Sequence, residues 1–359
     1  MTYLDYQATT PLAPEALAAM LPWLESQHAN PHSAHAPGRA ARATVEVARD
    51  QVAALLPPGG RIAFTSGATE AINWAVKGVA GPALTLATEH AAVLDSVAAT
   101  GGTVLRVGSD GLVDLDSLRA EIADRRPALV AAMLVNNEIG VIQPVADIAA
   151  IAHEAGALML CDAVQGFGRV PIPEGCDLIA LSAHKIHGPK GVGALWVRDE
   201  VNLAPLLHGG GQEAPGRSGT LSPALCAGFG AAASLATDRV DADRAHVEHL
   251  SALALARLGP DWTLNGSPSH RYPGNLNLRF PGLDVARLMS DLRDIAFSAG
   301  SACASGSGRP SHVLKAIGLS DADARSSIRI GFGRYTSDTD LADALARIDA
   351  AARAQRIAA

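Results

Sequence analysis

The apolar positions of this chain change rhythm several times along its length. Residues 1–14 carry no helical period and are bracketed by Pro11 and Pro14, which predicts an extended arm. Helices are expected over Pro14–Glu25 and Gly38–Leu56, the second with Ala41, Val45, Ala48, Val52 and Leu55 at three- and four-residue spacing. From Arg61 onward, apolar runs of strand length alternate with helical stretches. The runs are Ile62–Thr65, Ala83–Ala87, Thr103–Val107, Leu129–Val135, Leu158–Cys161, Leu178–Leu181 and Ala194–Val197. Helices fall between them at Thr69–Val79, Val93–Ala99, Leu115–Ile122 and Ile148–Glu154, the last closed by Gly156. This alternation predicts an α/β fold with a mainly parallel seven-stranded sheet. An alanine-rich helix then runs from near Ser222 to Leu258 with a break around Asp241. Beyond it the texture becomes that of a smaller α+β domain. Strands are expected at Leu276–Phe280, Ile295–Ser298 and Ile328–Gly331, and helices at Val285–Leu292, His312–Ile317 and a C-terminal one capped by Ser337-x-x-Asp340. The expected division is an arm, 1–14, that joins the small domain, a large domain, 15–245, and a small domain, 246–359.

Composition narrows the partners. A formal charge of −7 argues against a nucleic acid, whose phosphates need a basic face, and 4% aromatic content leaves little for base stacking. No apolar run approaches the length of a membrane span, and Met1-Thr2-Tyr3-Leu4-Asp5-Tyr6 lacks the basic and apolar regions of a signal peptide, so a cytoplasmic location is expected. Four cysteines, Cys161, Cys176, Cys226 and Cys303, with no C-x-x-C pair, suit a reducing compartment.

Polar residues collect where the predicted strands end. Lys185 follows Leu178–Leu181 in Ser182-Ala183-His184-Lys185-Ile186-His187-Gly188-Pro189-Lys190-Gly191, a strand-to-loop edge where an amine can lose its proton and bond an aldehyde cofactor. Asp162-Ala163-Val164-Gln165 ends the preceding run. Pyridoxal phosphate needs a carboxylate against its ring nitrogen as well as a lysine on its aldehyde. Thr65-Ser66-Gly67-Ala68-Thr69-Glu70 joins a strand to a helix and can cradle an anion on backbone N–H groups, although Thr69 or Ser66 capping its own helix fits those residues equally. His90 and Asn136-Asn137-Glu138 end two further strands, and His90 taken alone is equally a structural histidine. Arg217-Ser218-Gly219-Thr220 follows Gly209-Gly210-Gly211 as a loop able to reach a phosphate, including that of a second subunit. Cys303 sits among small residues in Gly300-Ser301-Ala302-Cys303-Ala304-Ser305-Gly306, with no bulky neighbour to bury its thiol. Arg329 is a charge inside a strand-like run and needs an anion, a role a substrate carboxylate would fill. His32-x-x-His35 and His184-x-x-His187 lack cysteine or carboxylate partners at ligand spacing, so no metal site is expected.

Taken in order, these motifs, with Tyr3-Leu4-Asp5, Ala8-Thr9-Thr10-Pro11, Asn30-Pro31-His32-Ser33 and Gly333-Arg334-Tyr335-Thr336, resemble the cysteine desulfurases of the NifS/IscS type. These are pyridoxal phosphate enzymes of fold-type I in the class V aminotransferase-like family. The resemblance implies that Lys185 bonds the cofactor aldehyde, Asp162 pairs with the ring nitrogen and Gln165 with the phenolate oxygen. It implies that His90 stacks on the ring and moves protons, and that Ala68, Thr69, Ser182 and His184 hold the phosphate with Thr220 of a second subunit. Asn137 and Arg329 would grip the adduct and the substrate carboxylate, and Cys303 would accept sulfur. The implied activity takes L-cysteine to L-alanine in a homodimer. A persulfide on Cys303 is then passed to a scaffold or relay protein for iron–sulfur cluster or thio-cofactor assembly. Rival readings are a selenocysteine lyase or small-amino-acid transaminase of the same fold, or a sulfur-relay or scaffold-binding protein with a vestigial cofactor site.

Overall fold

Strands in the first two-thirds of the chain are apolar on both sides, as a sheet covered by helices on both faces requires. Ala83–Leu86, Leu129–Met133 and Leu178–Ser182 are buried at every position. The structure, a computed structural model, describes residues 1–214, 216–300 and 310–357. Cys303 therefore lies outside the described residues.

Among the described residues the largest sheet has seven strands in the order Gly60–Thr65, Gly193–Arg198, Leu178–Ser182, Leu158–Asp162, Leu129–Met133, Ala83–Leu86 and Thr103–Leu105. Only Gly193–Arg198 runs against its neighbours in this sheet. Alternate residues of each strand face opposite layers, as the two-residue period of a strand dictates. Val130, Ala132, Met159, Cys161, Ile179 and Leu181 face one core that includes the helices Ala36–Ala53, Val145–Glu154 and Pro223–Arg257. Leu129, Ala131, Leu160, Leu178 and Ala180 face the other, filled by Ile72 and Trp74 of Ala68–Gly78 and by Val93 and Val97 of Ala91–Ala99. Met133 pairs with Asp162, and Asp162 with Ala180, so these parallel strands reach the same edge together.

A four-stranded antiparallel sheet follows: Ser298–Ala299, Ser327–Gly331, Asn275–Arg279 and Thr263–Leu264. The arm joins it at its margin, Thr2–Tyr3 pairing in parallel with Ile295–Ala296 and Asp5 bridging to Gly331. The single strand expected at Ile295–Ser298 is thus two. Ile295–Ala296 pairs with the arm, Phe297 is buried between, and Ser298–Ala299 pairs with Ser327–Gly331. The break expected near Asp241 is absent, for Pro223–Arg257 is one helix of 35 residues that passes through position 245. The stretch from Asp238 to Arg244 contains neither glycine nor proline. Two of its three acids pair along the helix instead, Asp243 with Arg239 and Asp241 with Arg244. The short helix Asp321–Arg325, capped by Ser320, gave no readable period because it is barely more than one turn. Among the described residues no helix is long and apolar enough to cross a membrane, and no group of three or more His, Cys, Asp or Glu side chains is placed to hold a metal ion.

Gly193 sets how closely the edge of the sheet approaches the turn before Ala68–Gly78. A Cβ there would lie 2.7 Å from the Gly67 backbone and 2.5 Å from the Leu181 carbonyl oxygen. Backbone cannot swing aside as a side-chain tip can, so Gly193→Ala is expected to cost about 1–3 kcal/mol of stability. A urea unfolding midpoint equal to that of the parent would contradict this packing.

Candidate active site

Three strand ends and two helix starts converge on a cavity of about 610 Å³. Its walls carry Ser66 to Glu70, His90, Asn137, Asp162, Gln165, Ser182, His184, Lys185 and Arg329, together with Gln7 and Ala8 from the arm. Of the residues singled out in the sequence, Thr220 stands apart as an exposed loop residue that does not line this cavity.

Helix Ala68–Gly78 begins at this wall without a side-chain cap. The Thr65 hydroxyl instead donates to the Gly67 carbonyl (2.9 Å), and the Ser66 N–H donates to Glu70 Oε2 (2.8 Å). The capping alternative for Ser66 and Thr69 is therefore not the one the chain adopts, and the first-turn N–H groups remain able to receive an anion. A Cβ at Gly67 would meet nothing within 4 Å, so the approach is open. Arg217 does not reach into this space; its Nε lies 2.8 Å from Glu70 Oε1 and braces the turn from outside.

Asp162 ends its strand buried, and its Oδ1 accepts the Val164 N–H at 3.0 Å. Burial pushes its carboxyl up, while the neighbouring His90 and Lys185 pull it down. A positive ring nitrogen placed against it would act in the same direction as those two groups. His90 caps helix Ala91–Ala99 by accepting the Ala92 N–H on Nδ1 (3.1 Å), so in the neutral ring the proton sits on Nε2. Burial favours that neutral ring, Asp162 opposing it.

Lys185 lies in the 3₁₀ turn Ala183–Lys185 directly after Leu178–Ser182. Its Nζ donates to the carbonyl oxygens of Gln7 and Ala8. The same arm turn receives Gln165 Nε2 on the Gln7 carbonyl (2.9 Å), while Gln165 Oε1 accepts Arg169 Nη1 (3.1 Å). His184 Nδ1 is 3.1 Å from the Thr9 hydroxyl, and burial brings this imidazole down to about 4. These arm contacts were not foreseen, because carbonyl groups leave no mark in side-chain identity. The absence of any periodic pattern in residues 1–14 was the sole available sign that the arm had to lie against something.

Arg329 is 1% exposed, and its anion within the chain is Asp5, whose Oδ1 is 2.7 Å from Nη2. Nη1 donates to the Asn137 carbonyl at 3.0 Å. Nε of Arg329 and Oδ1 of Asn137 are buried without a hydrogen-bond partner among the described residues, and both residues line the cavity. Unsatisfied buried groups of this kind cost about 1–3 kcal/mol each, a cost that a bound ligand offsets.

Residues 2–344 match the model of the aminotransferase class-V family. The chain is 42% identical, over 361 aligned positions covering 94% of it and 88% of the relative, to the cysteine desulfurase IscS of Rickettsia bellii (strain OSU 85-389). Its fold superposes on the X-ray structure of a NifS-like protein from Rickettsia africae ESF-5 with a TM-score of 0.91, at 31% identity over 98% of this chain and 99% of that one. It also superposes on SspA in complex with cysteine, with a TM-score of 0.82 at 33% identity over 94% and 100% of the two chains.

Next to Lys185, His187 provides a check on the electrostatics of this turn. It is buried, and burial lowers its imidazole to about 4. A histidine held below its unfolded value of about 6.5 favours the neutral fold, so its contribution is present above that pH and is lost as pH falls toward 4. Buried Glu89, Glu138 and Asp162 are shifted up and act with the opposite sign, so the informative quantity is a difference between proteins. His187 has φ +69°, which asparagine tolerates, so His187→Asn removes the titration and keeps the turn. Parent stability, from urea unfolding at about pH 7.5 and about pH 5, should fall relative to the variant at the lower pH. Parallel pH profiles would contradict the assignment.

Proposed function

The chain belongs to the aminotransferase class-V family, as a cysteine desulfurase of the IscS/NifS-like kind, and from that premise we propose how its own residues divide the work. The family is pyridoxal phosphate-dependent. The residues present fit that group. An uncapped helix start, a buried carboxylate and a lysine amine share one cavity, and that coincidence is the observation that carries the reading. Ala68 and Thr69 with Ser182 and His184 would hold the phosphate, Asp162 the ring nitrogen, Gln165 the phenolate oxygen, and Lys185 the aldehyde. When bound, pyridoxal phosphate supplies an electron sink for the substrate's α-carbon.

The remaining steps belong to the chain. L-Cysteine enters with its carboxylate toward Arg329, whose Nε has no acceptor among the described residues. Asp5 keeps that guanidinium paired while the cavity is empty of substrate, which avoids the larger cost of an isolated buried charge. Lys185 takes and returns the α-proton once its amine is released, and His90, with its proton on Nε2, serves the substrate end. The Cys303 thiolate attacks the substrate sulfur. A sulfur–sulfur bond forms as the carbon–sulfur bond breaks, and the carbon takes up a proton to become L-alanine. The persulfide is then passed to a sulfur-accepting scaffold or relay protein, for iron–sulfur cluster or thio-cofactor assembly.

Thr220 completes the phosphate site of a second subunit, a role consistent with its exposure and its distance from this chain's own cavity wall. The homodimer so required has an apolar surface available to it: Leu17, Leu21 and Leu24 of the first helix are exposed. In this reading the arm 1–14 and the portion 246–359, with the Cys303 loop, form the smaller unit against the larger portion 15–245.

Replacing Cys303 with serine separates desulfuration from every other activity of the fold. Cys303→Ser should still bind cofactor and show its spectral response to L-cysteine, while alanine and sulfide formation fall by about two orders of magnitude or more. In the parent, brief exposure to cysteine, thiol blocking and peptide mass analysis should place the extra sulfur on Cys303, not on buried Cys161, Cys176 or Cys226. Undiminished alanine release by the serine variant would overturn the assignment.

A further inference from the structure

The helix start that would receive the cofactor's phosphate carries a negative charge of its own. Glu70 is the third residue of helix Ala68–Gly78 and lines the same cavity as Ala68 and Thr69. Its Oε2 accepts the Ser66 N–H at 2.8 Å. Two residues of chain span at most about 7 Å, so this carboxylate lies within about 10 Å of the Ala68 N–H, comparable with the length over which 0.1 M salt screens a charge. A phosphate dianion in the cradle and an uncompensated carboxylate at its rim would repel each other. An acidic side chain in the first turn is also drawn to that turn's own N–H groups, which are the donors a phosphate needs.

Arg217 answers both difficulties from outside the cavity wall. Its Nε lies 2.8 Å from Glu70 Oε1 and its Nη2 3.4 Å from Oε2, each side chain being 13% exposed. Among the described residues no other cation pairs with Glu70. Burial pushes this carboxyl up, but the hydrogen bonds from Arg217 and Ser66 outweigh it and hold the group below its ordinary value, an anion whose charge is already matched. Arg217 is itself held in place. Its backbone exchanges two hydrogen bonds of 2.9 Å with Glu213. Glu213 is buried, takes Arg49 on both oxygens and accepts the Phe64 N–H of strand Gly60–Thr65. We infer that Arg217 is a positioning residue for the cofactor's phosphate and acts through Glu70: it neutralises and orients that carboxylate, so that the first-turn N–H groups of Ala68–Gly78 are left to the phosphate. The inference rests on the reading that this turn binds the phosphate.

The test compares pyridoxal phosphate with pyridoxal, which lacks the phosphate. Each is titrated into the full chain freed of cofactor, and binding is followed by the absorbance of the bound compound. The parent should prefer pyridoxal phosphate. Arg217→Met should reduce that preference by about tenfold while pyridoxal affinity stays close to the parent's. Glu70→Gln keeps an acceptor for the Ser66 N–H and removes the charge, so adding it to Arg217→Met should restore most of the preference. A role for Arg217 in merely holding its loop in place would not be rescued in this way. An undiminished preference in Arg217→Met, or a loss that persists when Glu70→Gln is added, overturns the proposal. A parent that binds both compounds equally would overturn the phosphate cradle itself and the proposal with it, a result distinct from either of the others.

Discussion

The arm is the constraint on which the rest of the structure depends. Its fourteen residues have no core of their own; Leu4 and Ala13 enter the main core, and backbone and side-chain hydrogen bonds tie the arm to both sheets. On one side Leu4 receives the Gly331 N–H and donates to Ala296, and Asp5 pairs with Arg329. On the other, Gln7 and Ala8 accept Lys185 Nζ, and the Thr10 hydroxyl donates to His184 and accepts from His187. One short segment, extended only at Thr2–Tyr3 and then turned back at Asp5, whose carbonyl accepts the Ala8 and Thr9 N–H groups, therefore fixes the lysine turn of the large sheet relative to the small antiparallel sheet. Removing a contact on either side would loosen both, because the segment between them is too short to absorb the slack.

The large sheet supplies the opposite kind of order. Its strands are buried on both faces and bring successive loops to a common edge, where polar groups can be concentrated without interrupting the core. That edge is not electrostatically neutral. Asp162 and Glu89 are both pushed toward their protonated forms by burial, and His90 and Lys185 near Asp162 oppose that push. Arg329 meets its buried cost through Asp5 and the Asn137 carbonyl, yet keeps Nε unsatisfied. The cavity thus has places for both a positive ring and a negative carboxylate, which is the polarity the proposed chemistry asks for.

Much of this was legible in the sequence because strand and helix periods are properties of side chains. The seven runs ended within two residues of the observed strands, and Lys185, Asp162, His90 and Asn137 were recognisable as polar punctuation after apolar runs. What stayed hidden was carried by backbone. Neither the grip of Gln7 and Ala8 on Lys185 nor the split of Ile295–Ser298 at Phe297 can be read from residue types, since both depend on which distant segment pairs with which. The pairing of Arg329 with Asp5 spans 324 positions, so the sequence could say that an anion was needed but not that the arm would provide one. The break expected near Asp241 failed for a local reason: acidic residues within a helix are tolerated when arginines stand three or four positions away.

The Lys185 amine is the group proposed to hold the cofactor. Borohydride reduction of the cofactor-loaded protein, followed by digestion and mass spectrometry, reads this directly. A single pyridoxyl group on Lys185 is the predicted result. A pyridoxyl group on Lys190 or another lysine, with Lys185 unmodified, would contradict it.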